Sequence, residues 1–264
     1  MTARRLALLA FAVVVIGAAV FGLLRERDGH PPPVATGIED VPHPADEEAA
    51  AAHILIAHVE SDPSRPGVTR SRVEARELAA RIAAQLLSRA ASFADLARRY
   101  SDDPKVEKNS GYLGIFKRDQ LPLALEVPLF DLEVGEFNAA VETDRGVHVL
   151  MRQPVRRAVV RHILVTWSGA RNAHAGVRRT RDQAAQIVAE VEAMYRTGEV
   201  DFCDLASRFS DDAESRFQCG FIGTVEPAML PRELEAELFA LSPGEVSGVV
   251  ETMFGFHLIR REEI

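Results

Sequence analysis

From Leu6 to Leu24 the chain carries nineteen residues with no charged or polar side chain, and beyond them the pattern breaks into short apolar runs between polar loops. A helix rising about 1.5 Å per residue needs roughly 20 residues to cross a hydrocarbon core, so this run predicts a transmembrane helix within residues 1–24. Arg4 and Arg5 precede it, which favours a cytoplasmic N-terminus. A cleaved signal peptide is the alternative, because Gly17-Ala18-Ala19 fits a small-residue cleavage site. Either reading exports the remainder. Residues 25–50 are rich in proline and acidic side chains (Pro31, Pro32, Pro33, Pro42, Pro44) and predict an extended linker that cannot bury enough apolar surface to order itself.

From His53 onward the pattern occurs twice, with an offset of 109 residues. His53-Ile54-Leu55-Ile56 matches His162-Ile163-Leu164-Val165, Phe93-Ala94-Asp95-Leu96-Ala97 matches Phe202-Cys203-Asp204-Leu205-Ala206, and Ser101-Asp102-Asp103 matches Ser210-Asp211-Asp212. Gly114, Phe130, Thr143, Gly146 and His148 align with Gly223, Phe239, Thr252, Gly255 and His257 without a gap. A solenoid would show a shorter period and more copies, so two globular domains are expected, at 51–155 and 156–264. Within each, an apolar strand (Ala52–Ala57; Val159–Thr166) precedes an amphipathic helix with a stripe of Leu78, Ile82 and Leu86, or Ile187, Val188, Val191 and Met194. A second helix carries Phe93 and Leu96, or Phe202 and Leu205. A glycine-led strand, a third helix ending near Phe130 or Phe239, and a closing hairpin through Gly146 or Gly255 follow. Few strands with segregated helices define an α+β class.

Composition changes this picture little. The net charge of −8 argues against a nucleic-acid partner, since neutralising a phosphate backbone takes a basic surface. The two cysteines, Cys203 and Cys219, fit no zinc spacing, and both a disulfide and two unpaired semi-buried thiols are open to them. Basic residues cluster after the first strands (Arg65, Arg70, Arg72; Arg171, Arg178, Arg179, Arg181), which reads as a solvated loop or as a preference for acidic substrates. Trp167 is either a substrate contact or a lid on the core. Asp102 and Asp211 read as turn or cap residues.

The recurring polar residues are few: His53, Asp103, Thr143 and His148 in copy one, and His162, Asp212, Thr252 and His257 in copy two. Apolar residues recur beside them, Leu121, Leu125 and Phe130, then Leu230, Leu234 and Phe239. No serine or cysteine nucleophile accompanies the histidines in both copies, and no glycine loop has phosphate-binding spacing. The succession H-I-L-(V/I), F-x-x-L-A-x-x-(Y/F)-S-D-D, G-x-(L/I)-G, L-P-x-x-L-E, G-E and T-x-x-G-x-H resembles the parvulin family of peptidyl-prolyl cis-trans isomerases, twice over, from Ala51 to the C-terminus.

That resemblance implies two tandem domains, each a four-stranded antiparallel sheet with about four helices and a shallow proline pocket. It implies catalysis of X-Pro rotation without metal or cofactor. His53 and His148 would form a hydrogen-bonded pair supported by Thr143, with Asp103 beside the rotating bond where some members have cysteine. Leu121, Leu125 and Phe130 would line the proline pocket, although the family usually has phenylalanine at the position of Leu125. In copy two the same roles fall to His162, His257, Thr252, Asp212, Leu230, Leu234 and Phe239. The architecture is similar to exported bacterial foldases, so the expected partners are unfolded or extended proline-containing polypeptides and, through the N-terminal helix, a membrane. The expected location is the inner membrane, single-pass, with both domains on the periplasmic side. A non-catalytic chaperone or assembly scaffold is the alternative function.

Overall fold

The computed structural model describes residues 47–61 and 67–263. The expected transmembrane helix and all but the end of the expected linker lie outside them. Among the described residues no helix is long and apolar enough to cross a membrane.

Copy one runs β1 (Glu48–Ile56), α1 (Arg72–Leu87), α2 (Phe93–Tyr100), α3 (Val106–Asn109), β2 (Tyr112–Lys117), α4 (Leu123–Asp131), β3 (Phe137–Thr143) and β4 (Gly146–Gln153). Copy two repeats it as β5 (Ala158–Val165), α5 (Arg181–Thr197), α6 (Phe202–Phe209), a 3-10 turn (Arg216–Gln218), β6 (Phe221–Val225), α7 (Arg232–Ala240), β7 (Val250–Thr252) and β8 (Gly255–Glu262). Each copy forms one antiparallel four-stranded sheet, in the orders β2-β1-β4-β3 and β6-β5-β8-β7. The α+β class and the tandem sheets therefore match the expectation. Strand β1 begins at Glu48, inside the segment read as linker. Its run of alanines carries no β signal of its own, and the inner position in the sheet overrides that weak preference.

The helices start where their caps dictate. Ser71 and Glu74 form a capping box on α1, Thr180 and Gln183 form its counterpart on α5, and Ser92 and Asp201 cap α2 and α6. Each such cap contributes about 1 kcal/mol. Arg72 on α1 pairs with Glu142 on β3, and Arg181 on α5 repeats the contact with Glu251. These exposed pairs fix helix to sheet edge more than they stabilise.

Because side chains alternate along a strand, β1 has two different faces. Ile54 and Ile56 join Val147 and Val149 of β4 under α1 and α2, in a core with Ile82, Phe93 and Leu96. Ala49 and Ala51 face the other way, with Leu150 of β4, Val141 of β3 and the α4 residues Leu125, Leu129 and Phe130. By the same alternation His53 on β1 and His148 on β4 belong to this second face. Copy two divides alike: Ile163, Val165, Phe256 and Leu258 pack under α5 and α6, while Ala158, Val160, Ile259, Leu234 and Leu238 form the face shared with His162 and His257. Trp167 packs on the helix-side core, 5.2 Å between ring centroids from Phe256, so it is a lid on the core.

Copy two is also closed by a disulfide, Cys203–Cys219, from the start of α6 to the residue after the 3-10 turn. Gly220 follows, with φ +72°; His162 donates its backbone N–H to the Gly220 carbonyl at 2.8 Å, and a Cβ on Gly220 would lie 2.1 Å from the His162 carbonyl oxygen. Gly220→Ala is therefore expected to cost about 2–4 kcal/mol, whereas Gly248→Ala, where a Cβ meets nothing within 4 Å, stays within about 0.5 kcal/mol. Urea unfolding midpoints of the two variants check this, and equal midpoints would refute it.

Candidate active site

The loop after α2 reaches the site by continuing the sheet. Beyond Ala52, strand β1 is no longer paired with β2, and Ser101 and Asp102 take over that edge. Asp102 donates its N–H to the Leu55 carbonyl at 2.7 Å, Ser101 Oγ accepts from Leu55 N–H at 3.0 Å, and Asp102 Oδ2 accepts from Ala57 N–H at 2.9 Å. Copy two repeats this through Ser210 and Asp211, at 2.7, 3.2 and 2.9 Å. Asp102 and Asp211 thus pair the strand end rather than cap a helix, and Arg70 and Arg179 pair with them in turn. Those arginines, with Arg72 and Arg181, are engaged in internal ion pairs; Arg65 lies outside the described residues.

With the strand edge fixed, the next residue of the loop lands on the histidine. Asp103 Oδ2 is 2.8 Å from His53 Nε2, His53 Nδ1 is 3.0 Å from His148 Nδ1, and His148 Nε2 is 2.8 Å from Thr143 Oγ1. Thr143 Oγ1 also accepts from Arg145 N–H at 3.1 Å. One proton arrangement satisfies all of these contacts with both imidazoles neutral. Thr143 O–H donates to His148 Nε2, His148 Nδ1–H to His53 Nδ1, and His53 Nε2–H to the Asp103 carboxylate. The histidines are almost fully buried, at 4% and 1% exposure.

Electrostatics agree with neutral rings. Burial is the main cause that lowers His53, partly offset by Asp103. Burial, then repulsion from His53 and Arg145, lowers His148 to about 3. For Asp103, burial works against ionisation, but the Lys105 N–H and the His53 contact outweigh it and keep the carboxyl below its ordinary value. The relay therefore runs from a threonine to an ionised carboxylate, both partly buried, through two buried rings.

Copy two brings the same four residues into two pairs. His162 Nε2 lies 2.7 Å from Asp212 Oδ2, and Thr252 Oγ1 lies 2.8 Å from His257 Nε2. The two rings stand 5.8 Å apart between centroids, against 5.1 Å in copy one, and the buried His257 Nδ1 has no hydrogen-bond partner. Burial lowers His257 to about 3, and the His162 contact, against the effect of burial, lowers Asp212.

The expected pocket residues lie on the same sheet face as the histidines. Leu125 and Phe130 are buried there with Leu121 packed against them, and Leu234 is buried with Leu230 and Phe239 beside it. Sequence reasoning missed the cations over the aromatic rings: Arg118 lies 4.3 Å from the Phe130 centroid and Arg156 lies 4.6 Å from that of Phe239. It also missed Ser215, which contacts both Asp212 and His162. Only a search for positions where the copies differ would have found that residue.

Two sheets of this order, each with a histidine pair on the face opposite its two capped helices, define a tandem parvulin-fold protein. The PPIC-type PPIASE (rotamase) domain matches residues 53–153 and 162–263. The chain belongs to that family and carries its domain twice. It is 33% identical over 202 residues to Chaperone SurA of Albidiferax ferrireducens, covering 74% of this chain and 44% of that protein. It is 29% identical over 231 residues to Chaperone SurA of Chromohalobacter salexigens, covering 83% and 49%. The chain thus spans about half the length of these relatives. Among solved structures, peptidyl-prolyl isomerase ESS1 from Candida albicans is similar at 29% identity and a TM-score of 0.39, covering 40% of this chain and 63% of that one. The expected location, single-pass in the inner membrane, is corrected: the relatives are chaperones by name, and no helix among the described residues can cross a membrane.

The buried histidines link stability to pH. Unfolded, His148 and His257 take up a proton near pH 6.5; folded, they do so only near about 3. Between those values the unfolded chain binds more protons, so stability is full above pH 6.5 and falls as the pH drops. Between pH 7 and pH 5 each copy is expected to lose about 2 kcal/mol. Urea melts at both pH values should show this loss in the native chain and a smaller one in His148→Gln/His257→Gln; an undiminished loss in the double variant would refute the assignment.

Proposed function

We propose that each copy is a peptidyl-prolyl cis-trans isomerase site that acts on unfolded or extended proline-containing polypeptides in the periplasm. The observation that carries the reading is the relay Asp103–His53–His148–Thr143, two neutral rings ending on a charged carboxylate, on the sheet face that also bears Leu121, Leu125 and Phe130. Rotation about an X-Pro bond crosses a barrier of about 18–20 kcal/mol because amide resonance is lost. No bond breaks, so the site needs only to bind the twisted imide better than the planar one. The apolar residues would grip the proline ring. The Asp103 carboxylate, oriented by His53, would present a fixed charge to the turning carbonyl and nitrogen, and the same roles would fall to Asp212 and His162. The periplasm is supported by the Cys203–Cys219 disulfide, which an oxidising compartment favours.

A second reading has its own support. The curated relatives are named chaperones, and the position usually aromatic is leucine at 125 and 234. Two sites on one chain would then bind extended polypeptide by avidity without turnover.

A protease-coupled assay on a proline tetrapeptide separates the two. The native chain is expected to accelerate isomerisation, and Asp103→Ala/Asp212→Ala to lose roughly tenfold or more of that rate. Native rates equal to the uncatalysed background, with binding to an unfolded polypeptide retained, would overturn the isomerase in favour of the chaperone.

A further inference from the structure

The two copies keep the same four polar residues, yet only one of them joins its histidines. Within the loop that follows the aspartate, one substitution places a hydroxyl against the histidine. Ser215 occupies the position held by Val106 in copy one. Val106 is buried in the apolar core at the start of α3 and offers no donor. Ser215 is equally buried, at 2% exposure; its hydroxyl donates to Asp212 Oδ2 and lies 3.2 Å from His162 Nε2.

The backbone holds that hydroxyl in place. The Ser215 carbonyl accepts from Gln218 N–H at 2.8 Å and Gly220 N–H at 2.9 Å, and the Gly220 carbonyl accepts from His162 N–H at 2.8 Å. The Cys203–Cys219 disulfide closes the same loop. Ser215 is thus fixed against both the carboxylate and the strand that carries the histidine. In copy one the Asp103 carboxylate contacts His53 Nε2, and the ring reaches His148 at 3.0 Å. In copy two His162 Nε2 has two partners on the loop side, and His257 Nδ1 has none.

We infer that Ser215 is a positioning residue that holds the His162 ring on the Asp212 side and so uncouples it from His257. Copy one is then a continuous relay from threonine to carboxylate, and copy two is an aspartate–serine–histidine unit beside a separate histidine–threonine pair. Valine at 106 leaves His53 free to bond its neighbour. The consequence for catalysis rests on the isomerase reading above, but the geometry does not. Ser215 also supplies a hydrogen bond that favours the ionised form of Asp212, so removing it moves the acid limb of any copy-two activity to higher pH.

The test is reciprocal exchange in the full chain, read by NMR on histidine-labelled protein. The native chain is expected to show one exchange-protected ring N–H correlated to a second imidazole, that of His148 with His53. In Ser215→Val a second such signal appears at His257, and in Val106→Ser the His148 signal is lost. Ser215→Ala, which removes the hydroxyl without adding bulk, must reproduce the gain at His257. An unchanged His257 ring in both Ser215 variants would overturn the inference. A pH–rate profile with copy one silenced by Asp103→Ala is the second readout, its acid limb moving upward in Ser215→Val. If the spectra change as stated while the native chain shows no isomerase activity, the isomerase reading fails and the positioning role stands.

Discussion

An imidazole on an inner strand, covered by the sheet's own helices and loops, cannot reach water, and a buried ring nitrogen without a partner costs about 1–3 kcal/mol. Each copy sets two rings side by side, His53, His148 and His257 buried and His162 partly so, and much of its architecture follows from supplying their partners. The loop after the second helix runs along the free edge of the first strand, which sets the serine and first aspartate against backbone groups and the second aspartate against a ring nitrogen. The closing hairpin turns tightly enough to bring its threonine onto the other ring. The site is therefore not a decoration on a finished fold. It is how the fold satisfies the polar groups in the middle of its sheets, His257 Nδ1 excepted.

Much of this was legible in the sequence because it is written twice. Alternation around His53 and His162 marks a strand with one helix-covered face, and the stripe through Ile82 marks the helix that covers it. Recurrence singled out the four polar residues that the structure gathers in each copy. The rest was hidden for physical reasons. Glu48 to Ala50 reads as linker because alanine carries no strand preference, and only the neighbouring strands impose one. Asp102 and Asp211 look like cap residues because the side chain that caps a helix can equally end a strand. The arginines looked free because their partners are distant in sequence: Asp102 and Asp211 lie 32 residues beyond Arg70 and Arg179, and Glu142 and Glu251 lie 70 beyond Arg72 and Arg181.

Divergence between the copies is as informative as their agreement. Both keep a charged, partly buried carboxylate and a neutral, buried histidine paired to threonine. They differ in what joins the halves. Two sites built from the same residues on one chain thus have differently organised electrostatics. One buried position beside the aspartate, valine in one copy and serine in the other, is among their differences.

The disulfide gives that asymmetry a second dimension. It spans a sequence separation of 16 residues, and closing a loop of that size removes about 3 kcal/mol of chain entropy from the unfolded state. Copy one has Ala94 and Ser110 at the equivalent positions, with Ser110 receiving only a hydrogen bond from Arg98. The halves are therefore unequal listeners to their surroundings. Thiol chemistry reaches the loop that carries Asp212 and Ser215 and has no handle on its twin, so a reducing environment would loosen one half of the protein and leave the other untouched.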